Sequence, residues 1–187
     1  MSEIEQRVLD VVTATGVPFE AMPCDPDLAD TAEFCQHYGF SPDDSANTIV
    51  IASKGESPVF AACVVLATSR LDVNGAVRKR LGVRKVSFAP ADLTAEVTGM
   101  VMGGVTPFGL PHTIPLWIDA AVMERERIVV GGGSRALKIL GAPKMLAELA
   151  NAEVVEGLAQ PTTCTIGPEG LERSCGNAEV VRIKVRA

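Results

Sequence analysis

Ile128-Val129-Val130-Gly131-Gly132-Gly133-Ser134-Arg135-Ala136 admits two readings, and the fold class turns on the choice between them. An apolar β-branched run, a glycine run and a helix start would form the strand, turn and helix of a dinucleotide-binding unit, where the glycines make room for a pyrophosphate. Glu156, after Val154-Val155, stands where such a unit places its ribose-binding acid. Two features oppose this reading. Gly141-Ala142-Pro143 breaks what should be one continuous crossover helix, and too little chain follows Glu156 to complete a nucleotide-binding sheet. A P-loop is excluded because no Gly-Lys-Ser/Thr ends the run. A local expectation remains: Ser134 starts a helix that stops at Gly141, and the glycines before it leave N–H groups able to hold a carbonyl oxygen or a phosphate.

Outward from that stretch, helix and strand signals mix. Ile4, Val8, Val11 and Val12 recur at helical spacing, and Gly16 closes the helix. Residues 17–22 are a short apolar segment. Asp25-Pro26-Asp27 is predicted to cap a helix that runs to Tyr38 and stops at Gly39. Residues 48–52 and 59–67 read as a hairpin with a buried centre, joined by the turn at 54–58. Residues 71–81 are predicted helical and 86–88 extended, and Pro90 opens a helix to about Val97. Further strands are expected at 116–118 and 128–130, and a short helix after Pro143. The tail from Pro161, with Gly167-Pro168 and Gly176-Asn177, suggests an extra hairpin. Strands adjacent in sequence, mixed with helices and undivided by any linker, predict one α+β domain over residues 1–187 around a mixed, curved sheet.

The 187 residues are 47% apolar and 4% aromatic, enough for one domain with a full core and too apolar for disorder. No apolar run reaches membrane-spanning length, and Ser2-Glu3-Ile4-Glu5-Gln6-Arg7 is not a signal peptide, so a cytoplasmic protein is expected. Five widely spaced cysteines without a CxxC pair, beside two histidines, do not make a zinc set; they read as idle thiols of a reducing compartment. Charge is asymmetric: residues 1–46 carry ten acids and one base, within a total of −6. That total argues against tight free-standing binding to nucleic acid. Arg78, Lys79, Arg80, Arg84 and Lys85 still form a basic stripe, either a solvated helix face or a surface for a phosphate backbone.

Thr98-Gly99-Met100-Val101-Met102-Gly103-Gly104-Val105-Thr106-Pro107-Phe108-Gly109 holds four glycines and a proline but no Asn, Asp or Lys. A surface linker would be polar. This segment reads as a buried or cleft-lining loop whose backbone passes close to a ligand or to another part of the chain.

Taken in order, Ala46-Asn47-Thr48-Ile49-Val50-Ile51, Leu71-Asp72, Leu81-Gly82-Val83-Arg84-Lys85-Val86, Thr98-Gly99, the run from Gly103 to Gly109, Ile114-Pro115-Leu116-Trp117-Ile118-Asp119 and the run from Val129 to Leu137 resemble the YbaK/prolyl-tRNA synthetase-associated domain family. The resemblance covers roughly residues 20–155 and leaves the N-terminal helix (1–16) and the tail (160–187) outside. It implies a half-barrel-like sheet with flanking helices. It also implies an aminoacyl-tRNA deacylase that acts in trans on mischarged tRNA carrying a small amino acid. By this resemblance Asn47, Gly103, Pro107, Gly133 and Ser134 serve the reaction. Thr98, Gly104, Thr106, Phe108 and Gly132 line the substrate, and Arg78, Lys79, Arg84 and Lys85 lie near the tRNA acceptor end. The resemblance implies no metal, cofactor or covalent nucleophile, with a ribose hydroxyl of the tRNA helping to activate water. The implied partners are the tRNA acceptor end and an aminoacyl-tRNA synthetase, with monomer and homodimer both open.

The residue inventory suits that chemistry. No G-x-S-x-G elbow or Cys–His pairing is evident. His37 reads as a surface histidine, and His112 as a turn residue within reach of the cleft. An aminoacyl ester is already activated, so positioning and oxyanion stabilisation by backbone amides of the two glycine loops suffice. One position departs from the family pattern. Many relatives carry a lysine where this chain has Asn47, which forms hydrogen bonds but brings no charge. That leaves open a different substrate preference, a weaker enzyme, or a module of the same fold that binds a small amino acid derivative or docks on a synthetase.

Overall fold

The computed structural model describes residues 1–162. In chain order they form α1 (Glu3–Ala14), β1 (Phe19–Pro23), α2 (Thr31–Tyr38), β2 (Ala46–Ser53), β3 (Phe60–Leu66), β4 (Ser69–Leu71), α3 (Arg78–Leu81), β5 (Val86–Phe88), α4 (Ala91–Thr98), β6 (Leu116–Asp119), α5 (Ala120–Met123), β7 (Ile128–Gly131), β8 (Leu137–Gly141), α6 (Lys144–Ala147), β9 (Ala152–Val155) and β10 (Ala159–Pro161). The hairpin expected in the tail lies outside the described residues. None of the described helices is long and apolar enough to cross a membrane.

The expected hairpin is the centre of the fold. β2 and β3 pair antiparallel, with Asn47 opposite Val65 and Ile51 opposite Ala61. β3 is covered on both faces, so Ala61 to Val65 are all fully buried and show no alternation. β5 joins β2 antiparallel, whereas β6 and β9 add parallel strands on the other side, giving the mixed order β5-β2-β3-β6-β9. A second, antiparallel sheet, β1-β8-β7, meets the first through a bridge between Ser45 and Val129. β4 and β10 form a third, two-stranded piece. The sheets do not close into a barrel, and the architecture is the expected α+β fold. One side of the large sheet packs Ala62, Val64, Leu116 and Ile118 against Val8, Val12, Met100 and Phe108. The other packs Ile51, Cys63, Val65 and Trp117 against Leu71, Val77 and Leu158.

The run 131–133 corrects the helix expected from Ser134. It turns a hairpin: β7 and β8 pair antiparallel, with Val130 opposite Ile139, and β1 flanks β8 on its far side. A central strand buried on both faces loses its period-two signal, which is why 137–141 passes for helix. Its glycines let backbones cross rather than hold a pyrophosphate. A Cβ on Gly131 would strike the carbonyls of Val105 and Gly104.

Two further helices are shorter than expected. Leu71 ends β4, whose partner β10 is far away in sequence. Asp72 then accepts from the N–H groups of Gly75 (2.9 Å) and Ala76 (3.0 Å), and a π-turn over Val73–Val77 leads into the single turn of α3. The segment after Asp25 makes only a 3-10 turn, Pro26–Leu28, before the chain breaks and α2 begins at Thr31.

α1 lies across both glycine-rich segments. A capping box with Ser2 fixes its start, and Glu5 also accepts a 2.5 Å hydrogen bond from the Ser134 hydroxyl. Arg7 donates to the Thr98 carbonyl at 3.0 Å, and Ile4 and Val8 pack on Gly133. The Ser134 hydroxyl and then the Ser2 N–H hold the Glu5 carboxyl below the usual carboxylate range. A lowered folded-state pKa means stability that is present above the unfolded-state value and lost as pH falls through the folded one. Glu5→Gln is therefore expected to lower the melting temperature at neutral pH and to flatten its decline toward about pH 3. Thermal unfolding across that range measures both effects. A second prediction concerns Asp119, which is buried. Its carboxylate caps α5 through the Ala121 N–H (3.1 Å) and takes the Ala159 N–H (2.8 Å). Asp119→Ala should cost about 2–4 kcal/mol in denaturant unfolding.

Candidate functional site

Three consecutive residues at the start of α2 gather the elements of the site. The Ala29 carbonyl accepts from the Lys138 ammonium of β8 at 2.7 Å. The Asp30 carboxylate pairs with both terminal nitrogens of Arg135, at 3.1 and 3.3 Å. The Thr31 hydroxyl donates to the Asn47 side-chain oxygen of β2 at 2.8 Å. Both cations also reach the loop at 99–109: Lys138 donates to the Gly103 carbonyl at 3.3 Å, and Arg135 to that of Met102 at 3.4 Å. Arg135 further holds the Pro26 carbonyl at 2.7 Å. Because Thr31 occupies the oxygen of Asn47, the two amide N–H donors of that side chain have no hydrogen-bond partner among the described residues.

The two glycine segments touch directly. The Gly133 N–H donates to the Gly104 carbonyl at 2.8 Å, and a Cβ on Gly104 would strike the backbone of Ser134. Gly103, at φ +83°, has the Arg135 guanidinium where a side chain would begin. The amides of Gly104 and Gly132 are also engaged, with Val101 and Leu137 respectively. The N–H groups of Gly103 and Ser134 have no hydrogen-bond partner among the described residues, so these two amides are free to meet an acceptor. Ser134 is not a free nucleophile. Its hydroxyl donates to Glu5 and accepts from the Ala136 N–H at 3.0 Å.

The structure thus brings Asn47, Gly103, Gly104, Gly132, Gly133 and Ser134 into one connected region. Other expected site residues lie in the packing beneath it. Phe108 is fully buried in the main core, and Pro107 and Thr106 are buried beside it. The Thr98 hydroxyl donates back to the Thr94 carbonyl at 2.7 Å. His37 and His112 are both exposed. The basic stripe faces solvent, but Arg80 is tied to Glu153 and lies over the Trp117 ring, leaving Arg78, Lys79, Arg84 and Lys85 without ion pairs among the described residues. Lys54 joins them, because its N–H donates to the Lys85 carbonyl at 3.0 Å. Sequence reasoning missed Thr31, Arg135 and Lys138. The available signal was a lone charge inside Leu137-Lys138-Ile139-Leu140, hidden by the helix expected there. Two surface clefts lie elsewhere, one lined by Gly39, Phe40, Arg127 and Ile128, the other by Arg70, Asp72, Asn74 and Phe88.

Comparison with known proteins gives this arrangement a family. The curated relatives include EbsC of Enterococcus faecalis, provisionally named a Cys-tRNA(Pro)/Cys-tRNA(Cys) deacylase, 27% identical over 109 residues and 58% of this chain. The uncharacterised protein YwhH of Bacillus subtilis is 28% identical over 104 residues, or 56% of this chain. The chain spans 65% of the length of each, just under two thirds. Among solved structures, the hypothetical protein APE2540 superposes with a TM-score of 0.72 at 25% identity, covering 82% of this chain and 99% of that one. A structure provisionally described as a trans-editing enzyme for prolyl-tRNA synthetase shares the fold at a TM-score of 0.70 and 21% identity, covering 83% and 97%. The aminoacyl-tRNA editing domain family matches residues 25–149, and the chain belongs to that family.

Proposed function

We propose that this chain hydrolyses the ester of a mischarged aminoacyl-tRNA carrying a small amino acid, acting in trans. The observation that carries the reading is the gathering of three segments around residues 29–31: Asn47 directly, the loop carrying Gly103 through Arg135 and Lys138, and the 132–134 turn through its bond to Gly104. The free amides of Gly103 and Ser134 are suited to the carbonyl oxygen of the ester, where negative charge develops as water adds. Asn47 offers neutral donors to the ribose or to the ester. Water attacks the ester carbon, and the tetrahedral intermediate collapses with departure of the ribose oxygen. That oxygen takes up a proton, releasing the amino acid and free tRNA. No serine or cysteine nucleophile is needed, in keeping with the engaged hydroxyl of Ser134.

On this reading Arg78, Lys79, Arg84, Lys85 and Lys54 face the acceptor end, and the site works in the cytoplasm, where aminoacyl-tRNA is made. The name of EbsC puts cysteine among the first amino acids to test. The absence of charge at Asn47 favours one competitor, a module of the same fold that binds without turnover.

The deciding experiment measures deacylation of alanyl-, seryl-, threonyl- and cysteinyl-tRNA, each on its cognate tRNA and on proline tRNA. Turnover of one small residue is expected. Asn47→Ala should lower kcat/KM about tenfold, the worth of one hydrogen bond. Joint Lys79→Glu and Arg84→Glu changes should raise KM and reduce its salt dependence with kcat unchanged. Folded protein that hydrolyses none of the panel would sink the deacylase and leave the binding module.

A further inference from the structure

Lys138 has no role in the steps above, yet its placement is costly. It sits in the central strand of an antiparallel sheet, is 7% exposed, and is the one buried cation among the described residues. No carboxylate lies within ion-pairing distance of it among those residues. Its ammonium instead bonds the carbonyls of Ala29 (2.7 Å) and Gly103 (3.3 Å) and lies 5.2 Å from the centre of the Phe34 ring. Cys24 after β1, Cys35 on α2, Asp30 at its cap and Arg135 in the hairpin loop complete the titratable and charged surroundings. A leucine or valine would fill the same strand position without desolvating a charge.

We propose that Lys138 is a positioning residue of the editing site. Its ammonium pins the Gly103 carbonyl to that of Ala29, and it sets a buried positive charge against the residue whose N–H is free. The charge matters as well as the bonds. In a poorly solvated setting it strengthens the field where the ester oxygen becomes negative. This inference rests on the deacylase reading for its chemical half, but its structural half stands apart from any substrate. Burial pushes the Lys138 pKa below the ordinary lysine range. The folded state therefore favours the neutral amine, and the fold gains stability, rather than losing it, as pH rises through that interval.

The test compares the full-length protein with Lys138→Met and Lys138→Arg in two readouts. Hydrogen exchange of the Gly104 and Gly133 amides, which bond the carbonyls of Val101 and Gly104, needs no substrate. Lys138→Met should speed it by about tenfold or more while leaving global stability unchanged or raised, and Lys138→Arg should restore protection. Deacylation profiles against pH form the second readout. Wild-type kcat should fall on the alkaline side as Lys138 loses its proton, Lys138→Arg should abolish that fall, and Lys138→Met should lower kcat about tenfold or more with little change in KM. Wild-type exchange and wild-type kcat in Lys138→Met would overturn the proposal. If Lys138→Met does not fold, an alkaline limb shared by wild type and Lys138→Arg overturns it, and abolition of that limb in Lys138→Arg supports it. Wild-type protein inactive on every aminoacyl-tRNA would defeat the deacylase reading and with it the chemical half, while hydrogen exchange would still judge the structural half.

Discussion

The site depends on a break in the chain. Between the 3-10 turn at Pro26–Leu28 and the first turn of α2, the Ala29 carbonyl and the side chains of Asp30 and Thr31 are not used within their own segment. They are spent outward, on Lys138, Arg135 and Asn47. A continuous helix would have used the Ala29 carbonyl internally, and β8, β2 and the loop at 99–109 would have lost their common anchor. The Asp30–Arg135 pair is exposed, so its energy in isolation is small. Its value is geometric, because the same guanidinium fills the space beside Gly103 and reaches the carbonyls of Pro26 and Met102.

Glycine serves contact within the protein here. Gly104 and Gly131 are bare because another stretch of backbone occupies the place of their side chains. The loop at 99–109 and the 131–134 turn are therefore a single layer, with one face closed by α1 through Glu5, Arg7 and Val8. α1 lies outside the segment that matches the family, yet it sets the rear wall of the site. On the proposed reading, a wall of packed backbone suits selection of small side chains. A soft wall discriminates one methylene by only about 1–3 kcal/mol, and a backbone wall yields little.

Much of this was legible in the residues. The β2–β3 hairpin, Gly39 as a helix stop and the α+β class follow from apolar runs and turn residues. The apolar character of residues 99–109 pointed to a loop passing close to a ligand or to another part of the chain, and its glycines do lie against other backbone. Three features were hidden for physical reasons. β8 is buried on both faces, so its pattern has no period to read. β4 exists only through β10, about ninety residues away in register, and pairing of that kind leaves no local trace. The hub at 29–31 works through one backbone carbonyl and two short side chains whose partners lie far off in sequence, so no motif announces it.

On the proposed function, an aminoacyl ester sits on the layer anchored at residues 29–31. Titration of the protein with a non-hydrolysable aminoacyl-adenosine amide, followed through backbone amide resonances, tests it most directly. Binding at this site predicts that Asn47, Gly103, Gly104 and Ser134 shift first and saturate together. Shifts confined to Arg70, Asn74 and Phe88, or to Gly39, Phe40 and Arg127, would contradict it.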